Sequence, residues 1–236
     1  MLALPRAIVT DIEGTTSSIA FVHEVLFPYA RARLADFVAD HAEAVAPILA
    51  QVRAEAGDAA MDTAACVALL LEWHDADRKI GPLKTLQGMI WDRGFASGEI
   101  SGHVYADAAE GLRRWHAAGI ALYIYSSGSV AAQKLLFGST EFGDLTPLFS
   151  GYFDTAIGGK KDASSYRGIA ALLELPAGDI LFLSDVAEEL EAAQAAGFAV
   201  TLLVREGDLP HSRFAEVTGF SPIWPAESLG KSAQAA

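Results

Sequence analysis

The residues able to do chemistry stand in four short stretches. Asp11 and Glu13 lie two apart in Ile8-Val9-Thr10-Asp11-Ile12-Glu13-Gly14-Thr15-Thr16, and Ser126 and Ser127 follow Tyr123-Ile124-Tyr125. Lys160 sits in Gly158-Gly159-Lys160-Lys161, and Asp185 follows Leu183-Ser184. Together they offer carboxylates for a hard cation, hydroxyls, a flexible cationic side chain and glycine-rich backbone. Mg2+ takes one or two carboxylates plus water and substrate phosphate rather than a full protein cage, so this inventory suits Mg2+. It does not suit zinc, because the 6 histidines and 1 cysteine show no ligand spacing. No Gly-x-x-x-x-Gly-Lys-Ser/Thr loop occurs, which argues against a nucleotide-binding P-loop.

Something must bring these stretches together. Ile8–Thr10 is short, β-branched and followed by a polar, glycine-containing turn, the mark of a buried strand opening into a loop. Ile120–Tyr125, Ile180–Leu183 and Ala199–Val204 are near-continuous apolar runs, as expected of a parallel sheet covered on both faces. Helical spacing marks Ala108–Ala118, Ser165–Leu175 and Ala187–Ala196, with Gly119 and Gly197 as stops. Strand–helix alternation predicts an α/β fold with a doubly wound, mostly parallel (Rossmann-like) sheet and right-handed crossovers. Ligands of such sheets bind beyond the carboxyl ends of the strands, so the four stretches should converge on one face.

Residues 20–100 break the alternation. Val22–Val38, Ala42–Ala56, Thr63–Arg78 and Leu83–Phe95 read as successive helices, with turns at Gly57-Asp58 and Gly81-Pro82. The expected organisation is an α/β core of 1–19 and 101–236 with an inserted helical cap domain, 20–100. A helical subdomain with no part in catalysis is the alternative. Gly230–Ala236 reads as a frayed tail.

Charge and composition narrow the function further. The 236 residues carry 30 acids against 17 bases, a formal net charge of −13. That argues against nucleic acid, which binds basic surfaces. An anionic small substrate would have to be held locally, by a metal ion, a lysine and backbone N–H groups. No apolar run approaches the roughly 20 residues that span a bilayer, and Met1–Arg6 lacks the apolar stretch of a signal peptide. The single Cys66 cannot form an internal disulfide and reads as a small buried residue on a helix. A cytoplasmic monomer with no membrane partner is expected.

These residues carry a resemblance. Asp11-x-Glu13-Gly14-Thr15, the strand-end serine, the lysine and the late Asp185 resemble the four motifs of the haloacid dehalogenase superfamily of phosphatases. Within it, Asp11-Ile12-Glu13-Gly14-Thr15-Thr16, Leu26-Phe27-Pro28-Tyr29, Leu86-Gln87-Gly88, Tyr123 through Val130 and Phe153-Asp154-Thr155 are similar to the bifunctional enolase-phosphatase (acireductone synthase) family of methionine salvage. The resemblance spans nearly the whole chain.

It implies roles residue by residue. Asp11 would be the nucleophile, forming an aspartyl-phosphate, and a Mg2+ ligand. Glu13 stands where most superfamily phosphatases carry Asp as general acid and base, and would also contact the metal, through side chain or backbone. Its extra methylene changes its reach. Ser126 and Ser127 resemble the pair that holds substrate phosphate through hydroxyl and N–H groups, although strand-end serines also cap helices. Lys160 would neutralise phosphoryl oxygens and orient Asp11. Lys161 is its rival, but the Gly-x-Lys spacing after Ile157 favours Lys160. Asp185 would complete the metal site, with Glu189, on the same helical face, as a candidate supporting partner. Glu188 and Glu191 read as solvated.

The implied reaction is Mg2+-dependent enolisation and dephosphorylation of 2,3-diketo-5-methylthiopentyl-1-phosphate to the acireductone (1,2-dihydroxy-3-keto-5-methylthiopentene) plus phosphate. A phosphatase acting on another small phosphate ester is the main alternative. Enolisation needs a base beside the carbonyl, yet none of His23, His74, His103 and His116 demands that role. Lys84, Gln87 and Trp91 share one helical face and are candidates to cover the thioether end, with ordinary packing as the alternative.

Overall fold

A computed structural model describes residues 4–210 and 212–224; the tail at Gly230–Ala236 lies outside them. The chain divides into two compact units, Met1–Ile19 with Gly102–Ala236, and Ala20–Ser101.

The first unit is built on six parallel strands. They are β1 (Ala7–Thr10), β2 (Ala121–Tyr125), β3 (Gly151–Phe153), β4 (Ile180–Ser184), β5 (Ala199–Leu203) and β6 (Ala215–Val217), in the spatial order β3-β2-β1-β4-β5-β6. The connections carry helices α6 (Ala106–Ala117), α7 (Val130–Gly138), α8 (Ala163–Leu173) and α9 (Ala187–Ala195). Every residue of β1 and β4 is buried, which is why both read as unbroken apolar runs. The chain runs β1 to β2 to β3 on one side, then returns to place β4 against the other side of β1. The strand order therefore reverses between β1 and β4, and the crevice beyond their carboxyl ends is where such sheets bind ligands. Val9, Phe182, Ile169, Leu190 and Phe198 pack the core beneath that crevice, with Tyr166 edge-on to Phe182 and Phe198.

The sequence pattern identifies four strands, whereas the sheet has six. β3 and β6 are three residues each and lie at the two edges, too short for an apolar run. Helix α7 also carries no clear signal; Ser129 caps it by accepting the Ala132 N–H at 3.3 Å. Helix α8 ends at Leu173 rather than Leu175, because Glu174 takes a left-handed conformation (φ 53).

The second unit holds α2 (Phe27–Asp40), α3 (Ala42–Ala56), α4 (Thr63–Asp75) and α5 (Gly81–Ser97), packed around Leu34, Val38, Val45, Val52, Leu70 and Leu86. Cys66 lies buried on α4. The single helix expected over Val22–Val38 is instead two pieces, a π-helical turn over Val22–Leu26 and α2, and the short α1 (Ile19–Phe21) precedes them. Pro28 supplies the reason. It has no N–H to give and crowds the preceding turn, so the Phe27 N–H reaches back five residues to the Val22 carbonyl. Among the described residues, no helix is long and apolar enough to cross a membrane.

Candidate active site

Asp11 directly follows β1, and its N–H continues the ladder by donating to the Leu183 carbonyl at 2.9 Å. The next residues form a tight turn. The N–H groups of Thr15, Thr16 and Ser17 all donate to the Ile12 carbonyl, at 3.1, 3.0 and 2.9 Å. The Thr16 hydroxyl donates to the Asp11 carbonyl at 3.1 Å. Gly14 adopts φ +70, and a Cβ there would lie 2.0 Å from Asp185 Oδ2. Only glycine satisfies both the left-handed backbone and this close approach. The turn thereby brings the strand-end acids of β1 and β4 together, although 173 residues separate Asp11 from Ser184.

Lys160 is the cation of the site. Its Nζ lies 2.6 Å from Asp11 Oδ1 and 2.7 Å from Glu189 Oε2, with only 10% of the side chain exposed. Burial works against the ammonium, but the charges of Asp11 and Glu189 outweigh it and hold Lys160 well above the ordinary lysine range. Lys161 points away, 65% exposed and 3.9 Å from the exposed Glu188. Glu189 is thus the partner of Lys160, and it also accepts from the Ser184 hydroxyl at 2.9 Å. Glu191 pairs with Arg213 on the surface.

The loop bearing Lys160 is pinned from below. Three successive carbonyls accept side-chain hydroxyls: Gly158 from Tyr125 at 3.0 Å, Gly159 from Ser165 at 2.8 Å and Lys160 from Tyr166 at 2.7 Å. Tyr125, Ser165, Tyr166 and Ser184 carry no separate signal in the sequence. Tyr125 reads there as a strand residue and Tyr166 as a helix residue, which they also are.

The remaining acids carry surplus negative charge. Asp185 stands exposed at the rim, yet surrounding protein atoms and the Asp11 charge push its carboxyl up to about 6. Glu13 is half-buried, and burial followed by Asp11 raises its carboxyl as well. Asp11, Glu13, Asp185 and Glu189 face the one ammonium of Lys160. Among the described residues, no three His, Cys, Asp or Glu side chains form a metal cage on their own. Mg2+ asks for less than that, one or two carboxylates with the rest from water and substrate. Two acids titrating high beside a third is the state that a bound divalent cation relieves, so Asp11, Glu13 and Asp185 fit such an ion.

Ser126 is buried at the end of β2. Its hydroxyl donates to Glu13 Oε2 at 3.3 Å and accepts from Gly128 N–H at 3.0 Å, while its own N–H donates to the Phe153 carbonyl at 3.2 Å. Ser127 is exposed beside it. The helix-capping serine of this string is Ser129, not Ser126 or Ser127. Gln133 fastens the loop through bonds from its amide to the carbonyls of Gly128 and Phe153, at 2.8 and 2.9 Å.

The chain that carries this site is similar over most of its length to known proteins. Residues 5–197 fit the model of the haloacid dehalogenase-like hydrolases. The chain is 55% identical to enolase-phosphatase E1 of Methylococcus capsulatus, over 93% of this chain and 98% of that protein. It is 56% identical to enolase-phosphatase E1 of Pseudomonas syringae pv. syringae, over 94% and 98%. The chain belongs to the haloacid dehalogenase-like hydrolases, in the enolase-phosphatase family. Among solved structures, the UTR4 protein of Saccharomyces cerevisiae shares 34% identity at a TM-score of 0.79, covering 91% of this chain and 98% of that one.

In this enolase-phosphatase family member the residues read as candidates for the thioether end lie in the helical unit. Gln87 is buried, its amide 3.0 Å from His74 Nδ1. Trp91 is half-buried, donates to the Leu26 carbonyl at 2.8 Å and stacks on Phe27. Lys84 is half-buried on the same helix. Of the histidines, His74 is buried, which lowers its imidazole below the ordinary histidine range, and the Nδ1 of His103 accepts from the Ser18 N–H at 3.1 Å.

Proposed function

We propose that this chain converts 2,3-diketo-5-methylthiopentyl-1-phosphate to the acireductone 1,2-dihydroxy-3-keto-5-methylthiopentene and phosphate, with Mg2+, in methionine salvage. The observation that carries the chemistry is the Asp11 carboxylate, 2% exposed and 2.6 Å from the Lys160 ammonium, at the sheet's switch point. Near-full-length identity to enolase-phosphatases supports the substrate.

Asp11 Oδ1 is fixed by Lys160 and by the Ile12 N–H at 2.7 Å. Among the described residues Oδ2 receives a 3.5 Å approach from Ser184, and it is the oxygen presented to phosphorus. Attack forms the acyl-phosphate bond from Asp11 Oδ2 to phosphorus and breaks the bond from phosphorus to the substrate oxygen, which takes its proton from Glu13. Water then cleaves the aspartyl-phosphate and restores Asp11. Lys160, desolvated, lies ready to stabilise charge on the phosphoryl oxygens. Ser126 and Ser127 hold the phosphate, and Glu13 carries protons and contacts the metal. Asp11, Glu13 and Asp185 would hold the Mg2+, which when bound would offset the phosphoryl charge and acidify the proton beside the substrate carbonyl. Lys84 and Trp91 are assigned to the thioether end.

The net charge of −13 and the reducing character suggested by a lone buried cysteine support a cytoplasmic protein acting alone on a small molecule, with no nucleic acid or membrane partner. The test is release of phosphate from the diketone phosphate by purified protein with Mg2+, followed alongside the acireductone. Asp11→Asn should abolish both. No release from this substrate, with turnover of a non-enolisable phosphate ester, would instead favour a general phosphatase.

A further inference from the structure

Arg205, just past the carboxyl end of β5, plays no part in the chemistry above, yet it grips the turn on which that chemistry depends. Its side chain is 8% exposed. Nε and Nη2 both donate to the Thr15 carbonyl, at 2.8 and 2.6 Å. Nη1 lies 2.8 Å from each oxygen of Asp107, in the first turn of α6. Asp107 Oδ2 in turn accepts the Phe220 N–H at 2.6 Å. The guanidinium carbon sits 4.2 Å from the ring centre of Tyr105 and 5.2 Å from that of Phe220. Gly219 makes room for the cluster, since a Cβ there would lie 2.4 Å from Asp107 Oδ2 and 3.1 Å from Arg205 Nη1.

The backbone N–H groups of Thr15, Thr16 and Ser17 end on the Ile12 carbonyl, whereas the Thr15 carbonyl takes its hydrogen bonds from Arg205. The neighbouring Thr16 carbonyl is held by the Tyr105 N–H at 2.9 Å. Two successive carbonyls of the Asp11–Thr16 turn are therefore anchored from outside, one of them by a charged fork. A buried charge costs free energy unless it is paired and hydrogen-bonded, and here Asp107 pairs it. Only arginine has the planar set of donors that can serve a carbonyl and a carboxylate at once; lysine has a single nitrogen.

We propose that Arg205 is the positioning residue of the catalytic turn: by holding the Thr15 carbonyl against Asp107 it fixes the placement of Asp11 and Glu13 and the seating of Gly14 against Asp185. This rests on the reading of that turn as the catalytic one.

The test compares wild type with Arg205→Met, Arg205→Lys and Asp107→Asn. Amide exchange of the turn is followed by NMR, Mg2+ binding by calorimetry, and kcat and KM on the diketone phosphate. In Arg205→Met, exchange at Thr15, Thr16 and Ser17 should quicken about tenfold while Phe182 and Leu202 stay unchanged. Mg2+ binding should weaken and kcat fall, each by about tenfold, with KM moving much less. Arg205→Lys should recover only part of the loss. If Arg205→Met does not fold, Asp107→Asn frees the fork from its far side with Arg205 in place and should show the same signature in smaller measure. A fall in melting temperature with turn exchange, Mg2+ affinity and kcat all unchanged overturns the proposal. Failure of the wild type itself to bind Mg2+ or release phosphate would count against the functional reading instead, while the exchange data would still decide on Arg205.

Discussion

Replacing Lys160 by Met removes the ammonium and keeps most of the stem. The structure sets the size of the effect. Asp11 and Glu189 lose their partner at 2.6 and 2.7 Å, with side chains only 3% and 10% exposed. Breaking a buried pair costs about 3–5 kcal/mol. Asp11 keeps the Ile12 N–H, and Glu189 keeps the Ser184 hydroxyl. Glu189 can also take up a proton, since burial and Asp11 already raise its carboxyl. The cost should therefore fall at the low end, about 3 kcal/mol. At about 2–4 °C per kcal/mol for a chain of this size, the melting temperature should drop by about 6–12 °C in metal-free buffer near neutral pH. The deficit should shrink as the pH is lowered and Glu189 protonates. Adding Glu189→Gln should recover about 1–2 kcal/mol, because an amide no longer needs the ammonium. Calorimetry of the single and double variants reads the stability, and phosphate release should fall by about a hundredfold or more in both. A Lys160→Met protein as stable as wild type, or a double variant no more stable than the single, would refute the account of Lys160 as a buried counter-ion to two carboxylates.

Three further outcomes can be measured. Gly14→Ala puts a methyl where Asp185 Oδ2 now lies; the left-handed backbone alone costs about 1 kcal/mol, and Mg2+ affinity by calorimetry should collapse with activity. Unaltered Mg2+ binding would show that Asp185 does not need its seat on the turn. Asp185 titrates near 6 in the fold against 3.8 ordinarily, so the folded protein binds that proton more tightly than the unfolded chain. The stability Asp185 contributes is full below about pH 4 and is lost as the pH rises through about 6. The melting temperature of metal-free protein should carry this slope and Asp185→Asn should lack it. Saturating Mg2+ should reverse it, because the metal competes with the proton; identical slopes in both proteins would sink the assignment. Tyr166→Phe deletes only the hydroxyl that holds the Lys160 carbonyl. It should cost about 1–3 kcal/mol by thermal melting and lower kcat more than KM, with circular dichroism unchanged; full activity would free the Lys160 loop from this anchor.

Much of the site is legible in the sequence because its parts are local. Asp11, Ser126 and Asp185 each follow a core strand, and burial on both faces of β1 and β4 writes itself as an apolar run. The edge strands β3 and β6 leave no such trace, because half their surroundings are solvent or loop. Pro28 is visible in the sequence, but only the packed helix shows the π-helical turn by which its missing N–H is accommodated. Glu189 is legible as a neighbour of Asp185 on one helical face, yet its partner is Lys160, from a different loop.

The sequence by itself determined the alternation of strand and helix, the helical insertion and the acids, hydroxyls and lysine available at strand ends. These follow from propensity and periodicity, which act over a few residues. Tertiary structure alone decided that Lys160, the lysine its spacing already favours, pairs with Glu189 as well as Asp11, that Gly14 must sit against Asp185, and that Arg205 holds Thr15 across 190 residues of chain. Those relations are set by which strand ends the sheet order brings side by side, and the packing that chooses the order is spread over the whole core rather than written at any one position.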